Sequence, residues 1–219
     1  MKVILFGATG MVGQGVLREC LRDPDVTEVV SVVRTPTGRA DPKVREIVHE
    51  NFNDFSSLQL GGDACFWCLG VSVAGMTEAD YTRITRDYTL AAAKVLARPT
   101  MTMIFVSAAG SGGTAMWARV KRSTEVGLPE MLFKAVYVFR PGLIQPLHGI
   151  RSRTRLYNIL YPLLYPFILA FKLVRPQLIT DTERLGKAML HIAKRGFTKQ
   201  VLGNSDINAA ARGASSAAE

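Results

Sequence analysis

The stretch Gly7-Ala8-Thr9-Gly10-Met11-Val12-Gly13 has residue types and a spacing suited to holding a phosphate. It follows the apolar run Val3-Ile4-Leu5-Phe6 and leads into Val12 to Leu21, whose apolar residues recur at helical spacing. A buried strand therefore ends in a glycine turn that opens a helix. The first amides of a helix have no intrahelical acceptor, and the helix dipole is positive there, so that end attracts an anion. The glycines let the backbone approach a pyrophosphate and let helix and strand pack closely. The chemistry expected is dinucleotide binding, with Gly7, Thr9, Gly10, Met11, Val12 and Gly13 as the cradle.

The choice of dinucleotide is read from the end of the second strand. NAD sites commonly place an acid about 20 residues beyond the glycines, where it binds the ribose 2′-hydroxyl. Here Val33-Arg34-Thr35 puts an arginine at that place. A guanidinium pairs well with a 2′-phosphate. NADP(H) is therefore expected in preference to NAD(H), with Arg34 on the phosphate. Asn51, after the third strand, is expected to reach the adenine, and Asp54 to cap a short turn over 55–58.

The elements that must position these residues follow from periodicity. β-branched and aromatic runs predict strands at Val3–Phe6, Thr27–Val33, Val44–His49, Asp63–Leu69, Met101–Ser107 and Ala135–Arg140, and a short closing strand at Val201–Leu202. Helical spacing predicts helices over Met11–Arg22, Thr77–Ala97 and Met116–Val126. A last helix is expected after Thr180, with Thr180 as N-cap and Glu183 completing a capping box. Strands alternating with helices mean a parallel sheet with right-handed crossovers. The fold expected is α/β, a doubly wound parallel sheet of Rossmann type with helices on both faces and a small C-terminal substrate-side region. Ligands bind such sheets at the C-terminal ends of the strands. Leu69-Gly70-Val71-Ser72, Ser107 to Ser111 and Pro141-Gly142 should converge there with the glycine turn.

Composition narrows the class. The 219 residues suit a single domain, and 48% apolar content supports a sizeable core. The formal charge of +9 is spread along the chain rather than gathered in tracts with aromatics, so nucleic acid is not expected as a partner. Cys20, Cys65 and Cys68 suggest a reducing, cytoplasmic setting, and no export signal opens the sequence. Cys65 and Cys68 form a C-x-x-C within a predicted strand, where residues three apart point to opposite faces, so an inert pair is expected. His49, His148 and His191 are scattered, and no metal site is expected. The uncharged run Leu156–Phe171 contains Pro162 and Pro166 and is shorter than the roughly 20 residues of a membrane span. It reads as an apolar helical insertion (149–179) near the cleft or at a subunit contact. Weak membrane-surface contact is the alternative, given Arg151, Arg153, Arg155, Lys172 and Arg175 around it. The Ala/Ser-rich end, 208–219, is expected to be a disordered tail.

Taken in order, Gly-Ala-Thr-Gly-x-x-Gly, Leu69-Gly70-Val71-Ser72 and Arg140-Pro141-Gly142 resemble the atypical short-chain dehydrogenase/reductase superfamily, in particular small bacterial NAD(P)-binding, sugar-epimerase-like proteins. The resemblance covers almost the whole chain, least the region after Gly149. It implies a serine that orients a carbonyl, a tyrosine that exchanges the proton, and a lysine four residues on that holds the nicotinamide ribose. Ser107 falls at the serine position, with Ser111 as a competitor, and Lys121 at that of the lysine. Pro141 and Gly142 would lie near the nicotinamide amide. The tyrosine position holds Trp117. Its indole N–H donates hydrogen bonds but has no proton to lose near neutral pH.

Three readings stay open on the sequence. One is an NADP(H)-dependent oxidoreductase passing hydride to an unidentified small molecule, its proton supplied by Ser107, Ser111, Tyr81 or a water on Lys121. Another is a non-catalytic NADP(H)-binding redox sensor. The last is a membrane-surface assembly factor. Glu125 is expected to be solvated and His148 incidental. Helices Thr77–Ala97 and Met116–Val126 offer a face for a homodimer.

Overall fold

A computed structural model describes residues 1–38, 40–150 and 179–216. Its elements are β1 (Lys2–Phe6), α1 (Met11–Arg22), β2 (Glu28–Val33), β3 (Val44–Val48), β4 (Ala64–Trp67), α2 (Glu78–Thr82) and α3 (Tyr88–Leu96), then β5 (Thr102–Val106), α4 (Met116–Gly127), β6 (Ala135–Phe139) and β7 (Leu143–Gln145), and finally β8 (Ile179–Asp181), α5 (Thr182–Arg195), β9 (Val201–Leu202) and α6 (Asn204–Ser216). Seven strands form one sheet in the order β3-β2-β1-β4-β5-β6-β9, every pair parallel. The chain winds outward from β1 in one direction and from β4 in the other. The topological switch point thus lies between β1 and β4, as the doubly wound expectation requires. β7 and β8 pair separately, also in parallel.

Both faces of the sheet are covered, which explains the near-continuous apolar strands. On one face Val3, Leu5, Phe66, Ile104 and Phe139 pack with Val16 and Cys20 of α1, Leu185, Met189 and Ile192 of α5, and Ile207 of α6. On the other, Ile4, Phe6, Cys65, Trp67 and Phe105 pack with Phe52, Phe55, Ala92, Leu96 and Leu128. Cys65 and Cys68 fall on opposite faces, as the strand alternation requires. Burial raises all three thiols, so they are poor nucleophiles.

Several elements differ from expectation for reasons of tertiary contact. The long helix over 77–97 is interrupted by a turn of π-helix at Arg83–Asp87. The amide of Tyr88 reaches back to the Arg83 carbonyl, and the buried Thr89 hydroxyl donates to the Thr85 carbonyl at 2.7 Å. A side chain that takes a ladder acceptor favours such a local change of pitch. The cap of α5 is Asp181 rather than Thr180: its carboxylate accepts from the Arg184 amide at 2.7 Å. Thr180 is instead part of β8, and its hydroxyl donates to Asn208. Glu183 turns to Lys187 and His148, which hold its carboxyl down at about 2. The chain after Asn208 does not form a tail over 208–216. It continues α6, whose Ile207, Asn208, Ala210 and Ala211 are buried. Small alanines let that helix lie close to α5, so an alanine-rich composition here serves packing.

The insertion expected over 149–179, with its apolar run Leu156–Phe171, lies outside the described residues apart from its ends. Among the described residues no helix is long and apolar enough to cross a membrane, and no cluster of His, Cys, Asp or Glu could hold a metal ion.

Helix α1 meets α5 at backbone distance. A Cβ on Gly15 would lie 2.5 Å from the Cβ of Thr182 and 2.7 Å from its carbonyl oxygen. In an open helix Gly→Ala gains about 1 kcal/mol. Here the sign reverses. Gly15→Ala should lower the free energy of unfolding by about 1–3 kcal/mol through overpacking, read from the midpoint and slope of urea denaturation.

Candidate functional site

The glycine turn is built by two close approaches. Gly7 adopts φ +79°, where a side chain would be strained, and a Cβ there would sit 2.6 Å from the Cys68 backbone. A Cβ on Gly13 would sit 2.0 Å from the Gly7 carbonyl oxygen. Only glycine allows α1 to start this close above the end of β1. Gly10 is the N-cap and makes no side-chain cap; its amide bonds the Gly7 carbonyl at 2.9 Å. The first amide bonded back into the helix is that of Gln14, to the Gly10 carbonyl. The amides of Met11, Val12 and Gly13 precede the ladder and form the anion-attracting end. No acid lies in that first turn.

This turn borders a cavity of about 400 Å³ at the switch point. Gly7, Thr9, Gly10, Arg34, Leu69, Gly70 and Val71 line it, as the motifs require, together with Val32, Val33, Thr35, Phe52, Cys68 and Ser72. The exposed Arg34 stands at its rim. Asn51 does not line it. Its side-chain oxygen accepts from the Asn53 amide at 3.2 Å, and the neighbouring Phe52 supplies the wall instead. Phe52 belongs to an aromatic group with Phe6 and Phe55, and such a cluster within one loop after β3 was its only trace in the sequence. Asp54 caps the turn that follows, accepting from the Ser56 amide.

A second group gathers at the ends of β5 and β6, outside the walls of that cavity. The Ser107 hydroxyl donates to Glu125, and Arg140 donates to both carboxylate oxygens of Glu125. Glu125 is thus buried and paired, which corrects the expectation of a solvated residue. Burial pushes its carboxyl up, but the bonds from Arg140 and Ser107 outweigh that and hold it below the ordinary carboxylate range. Ser111 is fully buried, and its hydroxyl has no hydrogen-bond partner among the described residues. The role expected for Ser107, donation to a substrate carbonyl, is thereby taken by Glu125. Its proton points into the protein.

On α4, Trp117 packs over the turn at Gly110, where a Cβ would lie 3.2 Å from the indole. Lys121 is half-buried, with its ammonium 5.7 Å from the centre of the Phe105 ring. Burial pulls its pKa down to about 8, with Glu125 acting weakly the other way. The amide of Gly142 donates to Asn204 at 3.0 Å, and the Pro141 carbonyl accepts from Ala109 at 2.9 Å. The Gly142 N–H is thus engaged within the protein, and neither Pro141 nor Gly142 lines the cavity. Tyr81 is 2% exposed and burial raises its phenol, so it offers no proton near neutral pH. His148, at φ +57°, bonds Glu183 on the far side of β7.

The buried carboxylate generates a stability test. Because Glu125 titrates below its ordinary value, its contribution is present above the usual carboxylate range and is lost as pH falls through the depressed value. Glu125→Gln leaves Arg140 without its counter-charge and should cost about 3 kcal/mol at pH 7. The gap between variant and wild type in urea unfolding should narrow as the pH is taken below 4.5, the ordinary carboxylate value.

No family model matches the chain. Among curated proteins, the mitochondrial protein fmp52 of Emericella nidulans is 30% identical over 167 residues, covering 70% of each chain. The chain spans about two thirds of the length of the curated relatives it matches. Among solved structures, UDP-glucuronic acid 4-epimerase from Bacillus cereus in complex with NAD superposes with a TM-score of 0.66 at 14% identity, over 93% of this chain and 76% of that one. The human epimerase family protein SDR39U1 with NADPH gives 0.61 at 15% identity, over 93% and 73%. The 30% identity over 70% of each chain shows that the chain belongs to the fmp52 family, and its glycine turn and seven-stranded parallel sheet have the fold of these epimerase structures.

Proposed function

We propose that the protein is an NADP(H)-dependent oxidoreductase that exchanges hydride with a small molecule at the C-terminal edge of β5 and β6. The observation that carries this reading is the cavity at the β1/β4 switch point, lined by the glycine turn Gly7–Gly10 that opens α1 and with Arg34 on its rim. The glycine cradle fits a pyrophosphate, since Gly10 and Gly70 line the cavity without side chains and a Cβ on either would meet little or no protein there. Among the described residues no carboxylate is bonded to Arg34, which leaves its guanidinium for a 2′-phosphate. The NADPH of human SDR39U1 is in keeping with that choice. A bound nicotinamide cofactor supplies hydride transfer. Phe52 and Val32 give an apolar wall, Thr9 and Ser72 polar groups at the mouth, and Lys121 a donor for the ribose.

A second reading, a protein that binds NADP(H) without turning it over, is favoured by one observation: Trp117 has no proton to exchange and Ser107 gives its own to Glu125.

Binding separates the parts. NADPH should bind wild type more tightly than NADH in fluorescence titration. Arg34→Ala should weaken NADPH by about 10–100-fold, the loss of a charge-assisted pair, and leave NADH within a few-fold. Gly10→Val should abolish binding of both, because a Cβ there meets only the Gly7 carbonyl at 3.4 Å yet occupies the approach to the helix amides. Equal affinities in wild type and no effect of Arg34→Ala would refute the NADP(H) assignment.

A further inference from the structure

Arg34 and Thr35, which follow β2, line the cavity at its rim. Strand pairing does not hold them. The ladder ends at the Val33 carbonyl, which accepts from the His49 amide at 2.8 Å. Among the described residues, the next fastening along the chain is at Thr37. Its amide donates to Oε2 of Glu46 at 3.0 Å, and its hydroxyl donates to Oε1 of the same carboxylate. Beyond it Gly38 turns away at φ +68°, where an added Cβ would meet nothing within 4 Å.

Glu46 is a fixed post. It lies in β3, the edge strand, opposite Ser31 of β2. Just before that strand, the Lys43 ammonium donates to the Leu21 and Asp23 carbonyls at the end of α1, at 3.2 and 2.9 Å. The neighbouring Arg45 is taken by Glu28 at 2.8 Å, which keeps its guanidinium off Glu46. The link from Thr37 back to Arg34 is short and stiff. Pro36 has a fixed φ and confines Thr35 before it to an extended backbone. A grip on Thr37 therefore reaches Arg34.

We propose that Glu46 is a positioning residue of this site: it grips Thr37 and so holds Arg34 at the cavity rim, where the guanidinium meets the 2′-phosphate of NADP(H). This deepens the NADP(H) reading and rests on it. Glu46 itself does not line the cavity. Its charge alone would act the other way. A carboxylate repels a phosphate, so on Coulomb grounds its removal should tighten NADPH. As a grip, its removal should loosen NADPH, because a segment in place only part of the time weakens its ligand by that fraction. The two roles predict opposite signs. Both carboxylate oxygens are engaged by Thr37 and neither bonds Arg34, so the guanidinium keeps its donors for the ligand.

The test uses the full chain and fluorescence titration with NADPH and NADH, the second checking that each variant folds and binds. Glu46→Ala should weaken NADPH about 5–10-fold and leave NADH within about twofold. The loss stays below that of Arg34→Ala, because the released segment still visits its working position. Thr37→Val removes only the hydroxyl bond and should fall between wild type and Glu46→Ala. Glu46→Gln removes the charge but keeps one acceptor. It should weaken NADPH less than Glu46→Ala does, whereas a purely electrostatic role makes both variants bind it more tightly. In an Arg34→Ala background, Glu46→Ala should have no further effect on NADPH, since the segment then carries nothing that meets the phosphate. A readout without ligand is limited trypsin digestion: the Arg34–Thr35 bond is cleavable, and fragment 1–34 should appear faster in Glu46→Ala than in wild type. NADPH affinity unchanged or raised in Glu46→Ala, an equal loss for NADH, a further loss on top of Arg34→Ala, or unchanged cleavage at Arg34 would overturn the role of Glu46 while leaving the NADP(H) reading standing. Wild type binding NADPH no more tightly than NADH would overturn both.

Discussion

The site depends on one close contact, that between Gly13 and the carbonyl of Gly7. With no side chain between them, α1 begins directly over the end of β1. Its first amides then point into the gap where the sheet order reverses. The same placement brings α1 down onto α5, where Gly15 meets the Thr182 backbone and Gly186 meets the Glu19 side chain and the Gly15 carbonyl. A single steric allowance therefore sets both the anion-attracting end and the packing of half the sheet's cover. Gly13 variants would disturb this scaffold itself, whereas Gly10, with more room, reports on ligand approach.

Charge at the far strand ends is organised by a different logic. Glu125 receives bonds from a strand end on each side, Ser107 after β5 and Arg140 after β6. An unpaired carboxylate would be costly at that depth, and the bidentate guanidinium offsets the cost. The group fixes the ends of two neighbouring strands to the helix that carries Trp117 and Lys121. It also consumes the serine hydrogen that the family pattern would direct at substrate. One buried ion pair thus both ties the strand ends together and withdraws a donor from the site.

Much of this was legible in the sequence where local pattern and tertiary role coincide. Helix α1 runs over the residues its apolar spacing marks, and each main strand lies within a residue or two of its β-branched run. The glycine turn, Arg34 and Leu69 to Val71 reach one cavity because strand order in a doubly wound sheet brings those ends together. What the sequence hid depended on partners distant along the chain. Nothing local to Glu125 reveals that Arg140 and Ser107 will surround it. Thr180 and Glu183 match a capping box in spacing, yet β8 pairing and Asn208 claim the threonine first. The alanines after Asn208 look like tail composition, and only their contact with α5 makes them a helix. The π turn at Arg83–Asp87 turns on a threonine hydroxyl whose preference is decided by burial.

The two asparagines of α6 stand one turn apart and hold two separate places in the chain. Asn204 binds the amide of Gly142, just before β7, and Asn208 binds the carbonyl of Ile179 and the hydroxyl of Thr180 in β8. The backbone just before β7 and that of β8 are thus clasped side by side by one helix. Anything spliced between them inherits a fixed doorway. In a lineage of related proteins, the chain between them could change in length while β7 and β8 keep their pairing.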